Sequence, residues 1–250
     1  MGLTIRALKV GKLVGQPKPT ITYMRGWGET YDPTLLMFLI EGADSPILVD
    51  TGPSTVEAAW DLHRYRLVQE ESERPLEALR ACGVEPEDIQ IVINTHLHWD
   101  HCSNNALFPH ARFVVQRTEL LYAVDPLEWN RVAFEKIPGV QPHWFSTWGR
   151  IDTVDGEATV APGVSTVFLP GHTPGSQGVV VEADGGRYLI AGDCVPTYEN
   201  WLGDERATHI PDGLYVDLNV YAESFRTIEA LDCEVIPSHD AAVLERGPWS

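Results

Sequence analysis

Cysteine and long apolar runs are both scarce in this chain of 250 residues. There are four cysteines, and no two of them are spaced as a CxxC pair: Cys82, Cys102, Cys194 and Cys233. With so few thiols and no export signal in the opening residues, we expect reduced cysteines rather than a disulfide framework. No stretch approaches the ~20 consecutive apolar residues that span a bilayer. We therefore expect a cytoplasmic protein that does not enter membranes.

Positive charge is scarce as well. The chain has 18 Lys and Arg against 36 Asp and Glu, a formal net charge of -18, and its cations form no basic cluster. Nucleic acids and anionic membrane surfaces are bound through positive patches. The charge balance disfavours both as partners, disfavours a polyanionic substrate, and leaves a small molecule as the expected ligand.

Short β-rich runs separated by Gly and Pro make up most of the chain. Their pattern predicts strands at 3–10, 35–41, 46–50, 89–94, 112–116, 164–169, 178–183 and 187–192. Helical periodicity and end signals predict helices at 72–82, 117–124 and 220–231. The Pro- and aromatic-rich stretches 125–150 and 196–216 are predicted to be irregular. Because no repeat or linker interrupts the chain, we expect a single domain covering residues 1–250.

The segment His96-Leu97-His98-Trp99-Asp100-His101 directly follows the apolar run at 89–93. In extended backbone His96 and His98 point to the same side, so both imidazoles can reach one ion. Asp100 and His101 follow where the chain turns and offer an oxygen and a nitrogen. Three imidazoles and one carboxylate within six residues suit a borderline metal such as zinc, and they outweigh an interpretation as ordinary polar loop residues.

Further ligand-capable residues stand just past other β-runs, beside small residues that permit close backbone approach: His172, Asp193 and His239. In this order the seven residues resemble the metallo-β-lactamase superfamily, which has HxHxDH, then a His, an Asp and a final His. The resemblance spans residues 47–240. It implies an αβ/βα sandwich, an α+β fold of two mixed sheets packed face to face with helices outside.

The same resemblance implies two divalent metal ions per chain. One ion would be held by His96, His98 and His172, and the other by Asp100, His101 and His239. Asp193 would bridge the two ions. Asp50, in an ILVDTG-like stretch, would not bind metal itself but would orient a ligand or the loop that carries the ligands. The ligand types favour zinc, although manganese, cobalt or iron also fit. Cys194, next to Asp193 on a predicted strand, is expected to face away from the metals.

Residues 108–119 and the ending Ser238-His239-Asp240 resemble the N-acyl homoserine lactonase branch, which includes related small-lactone hydrolases. In that branch a tyrosine three residues after the bridging Asp contacts the substrate. Here that position is Pro196, so the resemblance transfers the role to the nearest tyrosine, Tyr198. Asp100 is expected to move the proton as well as to bind metal. Four further residues are predicted to contact substrate: Trp27, Trp99, Trp201 and His209.

Three other functions stay open from the sequence. Trp99 and the segment 171–175 also suit a glyoxalase II-like thioesterase, but residues 201–250 hold only three cations for a glutathione thioester. Another small electrophile, such as a cyclic amide or an isothiocyanate, would suit the same centre. A non-enzymatic metal-binding module is disfavoured, since structural zinc sites are closed cages rich in cysteine. The sequence therefore predicts a dinuclear hydrolase that opens a small lactone by attack of a metal-bridging hydroxide.

Overall fold

The computed structural model describes residues 2–250, and β-strands dominate it. Fourteen strands are formed in these residues: β1 (Thr4–Leu13), β2 (Gln16–Pro17), β3 (Thr30–Tyr31), β4 (Thr34–Glu41), β5 (Ile47–Val49), β6 (Leu67–Val68), β7 (Ile91–Ile93), β8 (Arg112–Gln116), β9 (Ile151–Val154), β10 (Ala158–Ala161), β11 (Val164–Phe168), β12 (Gln177–Ala183), β13 (Gly186–Ile190) and β14 (Glu234–Ile236). They form a seven-stranded sheet in the order β6-β1-β4-β5-β7-β8-β9 and a five-stranded sheet in the order β10-β11-β12-β13-β14, while β2 and β3 form a small pair.

The central strand β4 explains why the two large sheets stack. Its side chains from Thr34 to Ile40 are all buried, so the strand is covered on both faces. On one face Phe38 and Ile40 pack in a cluster with Val179 and Ile190 of the second sheet. On the other face Leu35, Met37 and Leu39 belong to a separate apolar cluster. Burial of both faces therefore puts the second sheet on one side of β4 and helices on the other.

Helices cover the outer faces. Seven helices occur in residues 2–250: α1 (Val56–His63), α2 (Pro75–Arg80), α3 (Trp99–Cys102), α4 (Arg117–Val124), α5 (Tyr198–Leu202), α6 (Leu218–Leu231) and α7 (Val243–Arg246). Ala59 of α1 and Leu79 of α2 pack with Val92 of the first sheet. Tyr221 and Phe225 of α6 pack in a cluster with side chains of the second sheet. The layers are helix, sheet, sheet and helix, which is the α+β sandwich expected from the sequence.

Most predicted elements are present with bounds shifted by a few residues. The helix at 117–124 has the predicted bounds, whereas the helix predicted at 72–82 is shorter and covers Pro75–Arg80. The sequence prediction missed α1 and the strands β9 and β10. Both strands are four residues long and have no fully buried side chain, so their periodicity is weak. No helix among the described residues is long and apolar enough to cross a membrane.

The strand connections bring the candidate metal ligands to one edge of the sandwich. β5, β7 and β8 run parallel, as do β13 and β14. Since carboxyl ends of parallel strands meet at one edge, the residues that follow these strands come together. Asp50 follows β5, the His96–His101 segment follows β7, and His239 follows β14. Asp193 lies in a short 3₁₀ turn, Gly192–Cys194, after β13.

Candidate metal centre

The carboxylate of Asp193 lies at the middle of the histidine cluster. Its Oδ2 atom is 3.8 Å from His96 Nε2 and 3.4 Å from His172 Nε2. Its Oδ1 atom is 3.3 Å from His101 Nε2 and 3.1 Å from His239 Nε2. Each oxygen therefore faces a different pair of imidazoles, which is the arrangement that a carboxylate shared between two ions requires.

The ligand atoms group into the two sets that the resemblance implies. Within each set the atoms lie within 4.8 Å of one another; one set is His96, His98 and His172, and the other is Asp100, His101 and His239. His98 Nδ1 and His172 Nε2 are 3.1 Å apart. In the described part of the chain Asp193 also groups with His96 and His101. The structure thus brings all seven predicted ligands into one cluster.

Hydrogen bonds on the Nδ1 side hold several of these rings in place. His101 Nδ1 lies 2.8 Å from Asp50 Oδ2, and His172 Nδ1 lies 2.7 Å from the Leu214 carbonyl oxygen. His239 Nδ1 lies 3.1 Å from the Thr34 carbonyl oxygen. A ring nitrogen that donates to an oxygen leaves the opposite nitrogen unprotonated, with its lone pair free for a metal. These contacts direct Nε2 of each ring into the cluster.

Asp50 holds the metal-motif loop as well as a ligand. Its φ of 59° lies in the left-handed region, and its carboxylate accepts hydrogen bonds from the Thr95 N–H and hydroxyl groups, each at 2.7 Å. The same carboxylate holds His101, as described above. A strained backbone at a functional position is maintained by the contacts around it. The structure thus puts Asp50 behind the ligands, where the sequence prediction expected it.

Unpaired ring nitrogens of the histidines indicate whether the cluster fits metal ions. His96 Nε2 and His101 Nε2 are buried without a hydrogen-bond partner in the described chain. Buried polar atoms without partners are costly, so their presence indicates a missing ligand. Two donors bound at 2.0–2.1 Å to a tetrahedral ion lie ~3.4 Å apart, close to the 3.1–3.8 Å separations around Asp193. The residues fit two divalent ions.

The buried ionisable groups of the cluster shift one another's pKa values. Burial, followed by the neighbouring His101 and His98, holds the pKa of His96 well below its ordinary value. Burial alone would lower the pKa of His101 too, but the charges of Asp193, Asp100 and Asp50 outweigh burial and hold it well above that value. For Asp193, burial is outweighed by the attraction of His239 and His101, and its pKa lies well below the usual range. The Asp193 carboxylate is thus kept ionised, as a metal ligand must be.

A cavity of about 230 Å³ opens onto this cluster. Its polar floor includes His98, Asp100, His172, Asp193 and His239. Apolar walls come from three parts of the chain: Leu13, Ile21, Pro33 and Leu35 near the N-terminus, Tyr65 and Trp99, and Trp129, Val132 and Ala133 in the irregular stretch 125–150. No Lys or Arg lines the cavity within residues 2–250. The cavity suits an uncharged ligand with an apolar part.

Of the four residues predicted to contact substrate, only Trp99 lines this cavity. Trp27 is 71% exposed and lies outside the lining. Trp201 and His209 stack on each other with ring centroids 4.1 Å apart, and His209 packs against Phe225 on the outer side of the second sheet. For these three residues the structure does not support substrate contact, because neighbouring aromatic rings or solvent take up their surfaces.

Tyr198 also lies outside the cavity lining, contrary to the expected role. It begins α5 and packs against the cluster between the sheets, with the Arg246 guanidinium 4.1 Å above its ring. Its hydroxyl is buried without a hydrogen-bond partner among the described residues. The reason is local: the capping box at Thr197 starts a helix, and this helix turns the Tyr198 side chain away from Asp193.

Replacing Tyr198 by Phe should therefore leave turnover intact. The variant removes only a hydroxyl that has no partner, and burying such a group without a hydrogen bond is unfavourable. We expect kcat/KM within about a factor of two of the wild-type value and an unfolding midpoint that is equal or higher. Steady-state kinetics and thermal unfolding check this. A loss of kcat with unchanged folding would show that the Tyr198 hydroxyl takes part in the reaction.

The sequence prediction missed three residues near the cluster. Asp212, 3% exposed, places Oδ2 2.9 Å from His172 Nδ1. Glu119, fully buried, accepts hydrogen bonds from the Leu97 N–H, the Gly175 N–H and the Thr173 hydroxyl. Tyr65 lines the cavity directly. Glu119 lies in the segment 108–119 that carried the branch resemblance, whereas no local pattern marks Asp212 or Tyr65.

Comparison with known proteins agrees with this geometry. The family model described as the metallo-beta-lactamase superfamily matches residues 36–239. The chain belongs to the metallo-β-lactamase superfamily. Relatives within this superfamily include the N-acyl homoserine lactonase AttM of Azorhizobium caulinodans, 30% identical over 237 residues that cover 86% of this chain and 85% of the relative. The N-acyl homoserine lactonase AiiA of Bacillus thuringiensis subsp. kurstaki is 31% identical over 173 residues, 66% of this chain, and the match spans 65% of that protein's length.

Solved structures establish the metallo-β-lactamase fold. An N-acyl homoserine lactone hydrolase with its product N-hexanoyl-L-homoserine at the catalytic metal centre aligns with a TM-score of 0.77 at 22% identity, covering 98% of this chain and 96% of that one. AidC, a dizinc quorum-quenching lactonase, aligns with a TM-score of 0.74 at 15% identity over 96% of this chain and 88% of that one. At these identities the likeness concerns the fold, and it confirms the predicted sandwich of two mixed sheets.

Proposed function

We propose that this chain is a dinuclear metal-dependent hydrolase that opens the ring of an N-acyl homoserine lactone or a related small lactone, a quorum-quenching reaction. The observation that carries the proposal is the Asp193 carboxylate, whose two oxygens face different imidazole pairs at the floor of a cavity without cationic side chains. The names of the relatives, N-acyl homoserine lactonases, support the substrate class.

The grouping of the ligand atoms supports the following metal positions. His96, His98 and His172 would hold one ion, Asp100, His101 and His239 the other, and Asp193 both. We propose zinc, because imidazole and carboxylate ligands suit it, while the same donors admit manganese, cobalt or iron. When bound, two such ions supply a Lewis acid for a carbonyl and a hydroxide at neutral pH.

The chain's own residues supply positioning and proton transfer. Asp100 lines the cavity with Oδ2 3.8 Å from His101 Nε2, so its carboxylate can take a proton from the attacking water and give it to the departing ring oxygen. In the balanced reaction, the ring C–O bond of the ester breaks, the OH of water goes to the carbonyl carbon and its other hydrogen goes to the departing ring oxygen. The product is an N-acyl homoserine with a hydroxyl and a carboxylic acid, which releases its proton at neutral pH. Trp129 and Val132 line the cavity with exposed side chains and provide apolar wall against which an acyl chain can pack.

The absence of Lys and Arg from the cavity lining within residues 2–250 argues against the thioesterase alternative. A glutathione thioester carries carboxylates that need cationic partners, so the cavity disfavours it. The cavity itself argues against a purely structural metal site, since structural zinc sites are closed to ligands. We further propose that residues 1–250 act as one hydrolase domain. Its cytoplasmic location and its state as monomer or homodimer remain predictions.

A substrate panel tests the proposal. Zinc-loaded protein is assayed against N-acyl homoserine lactones of several chain lengths, simple γ-lactones, a cyclic amide, a glutathione thioester and an isothiocyanate. We expect the highest kcat/KM on the acylated lactones and at least a tenfold lower value on γ-butyrolactone, because an acyl chain of several methylenes contributes ~0.8 kcal/mol for each one buried. Turnover of the thioester without turnover of any lactone would contradict the assignment.

A further inference from the structure

The cavity wall next to Asp193 lacks the hydroxyl that the lactonase resemblance leads one to expect. Pro196 lines the cavity there and offers neither a side-chain donor nor a backbone N–H. Tyr198, the nearest tyrosine in sequence, packs between the sheets instead. If the reaction uses a hydroxyl to stabilise charge on a substrate oxygen, that hydroxyl has to come from another element of the fold.

Tyr65 is well placed to supply it. α1 ends at His63, and the φ of 61° at its C-cap Arg64 lies in the left-handed region. The Tyr65 N–H then donates to the Ala59 carbonyl at 3.1 Å. The Tyr65 ring stacks on Trp99 with centroids 5.8 Å apart and planes 16° apart. Backbone and ring are thus both fixed, and the side chain lines the same cavity as Asp100 and Asp193.

Three uncharged polar side chains of this cavity already have hydrogen-bond partners within the chain, whereas the buried Nδ1 atom of His63 has none. Gln16 donates to the Val14 carbonyl, Thr20 donates to the Pro17 carbonyl, and Asn130 accepts from Tyr122. The Tyr65 hydroxyl has no hydrogen-bond partner among residues 2–250, and only burial and the charges of Asp100 and Asp212 act on its pKa. Burial, then the charges of Asp100 and Asp212, raise the pKa of Tyr65, so the group stays protonated. A fixed, protonated and unpaired hydroxyl at the cavity wall is a ready donor.

We propose that Tyr65 is a catalytic residue that donates a hydrogen bond to the substrate's ester group, taking the place left by Pro196. The proposal rests on the lactone-opening function proposed above. A donor fixed before the substrate arrives stabilises the oxygen on which negative charge develops during attack, and no reorganisation is needed at that moment. No covalent step is assigned to Tyr65, and its proton remains on the phenol.

The test compares Tyr65→Phe with Tyr188→Phe, a matched variant in β13 whose ring packs between the sheets and does not line the cavity. We expect Tyr65→Phe to keep two metal ions per chain and to lower kcat/KM on the lactone by about 10²–10³-fold, the usual loss on removing one such donor. Calorimetric binding of a γ-lactam analogue, used after the wild-type protein has been shown not to hydrolyse it, should weaken ~3- to 10-fold, as for one lost hydrogen bond. Tyr188→Phe should change neither quantity.

The outcomes separate the two proposals. Lactone turnover by the wild-type protein, with Tyr65→Phe unchanged in kcat/KM and lactam affinity at full metal content, overturns the role of Tyr65 alone. Loss of metal in Tyr65→Phe also overturns it, because the hydroxyl would then act on the metal site and not on the substrate. Absence of lactone turnover by the wild-type protein overturns the proposed function, and with it lactone as the ligand of Tyr65.

Discussion

Replacing Asp193 by Asn should reduce the metal content from two ions per chain to at most one and lower kcat/KM at least about 10³-fold. The amide keeps one oxygen acceptor but loses the negative charge and the second equivalent oxygen. In the structure each carboxylate oxygen faces its own imidazole pair, and the Ser238 hydroxyl donates to Oδ1 at 2.7 Å to fix the orientation. Elemental analysis and lactone kinetics on the same preparation measure both effects.

A matched control for this experiment is Asp44→Asn, at an exposed position in the turn between β4 and β5. It changes the net charge of the chain by the same amount and should leave metal content and activity unaltered. If Asp193→Asn retained two tightly bound ions and more than about a tenth of the activity, the shared carboxylate would not be the element that joins the two metal positions.

The second large effect is expected at Glu119, and it concerns stability. This buried carboxylate joins the loop of His96 and His98 to the loop of His172, because it accepts hydrogen bonds from Leu97 and from the Thr173–Gly175 turn. Glu119→Ala leaves the Leu97 and Gly175 N–H groups without their acceptor in the interior, whereas the Thr173 hydroxyl keeps the Ser176 hydroxyl as a partner. At ~1–3 kcal/mol for each unsatisfied group, we expect the free energy of unfolding to fall by about 3–5 kcal/mol, a large part of a typical total of 5–15 kcal/mol.

Urea unfolding of metal-free protein measures this loss without the contribution of metal binding. Glu119→Gln keeps one acceptor oxygen and should lose about half as much. Glu157→Ala, at an exposed position in the turn before β10, is the control and should lie within ±0.5 kcal/mol of the wild-type protein. A Glu119→Ala protein as stable as this control would show that the two loops do not depend on the carboxylate.

The metal ligands could be predicted from sequence because each follows a strand directly. His96 and His98 follow β7 in one loop and His101 lies in the adjoining α3, while His172, Asp193 and His239 lie after three further strands. Parallel strands bring their carboxyl ends to one edge whatever the details of the packing. Cys194 packs in the cluster beneath α6, away from the candidate metal ligands, as expected, although it lies in a 3₁₀ turn and not on a strand.

The substrate side of the site could not be predicted in this way. Tyr65 and Asp212 reach the cavity from loops whose position depends on how α1 and α6 pack on their sheets, and no spacing rule encodes that. Trp201 and His209 were expected at the substrate because they follow Asp193 in sequence. Instead, their rings stack on each other. An aromatic ring that buries its surface against a neighbouring side chain gains the same hydrophobic free energy without a ligand.

The most direct test of the dinuclear centre is a zinc titration of metal-free protein in which bound ions and hydrolysis of an N-acyl homoserine lactone are followed together. The geometry around Asp193 predicts two tightly bound ions per chain, no turnover by metal-free protein, and full turnover only when the second ion is bound. Full activity with one ion per chain, or with none, would contradict it.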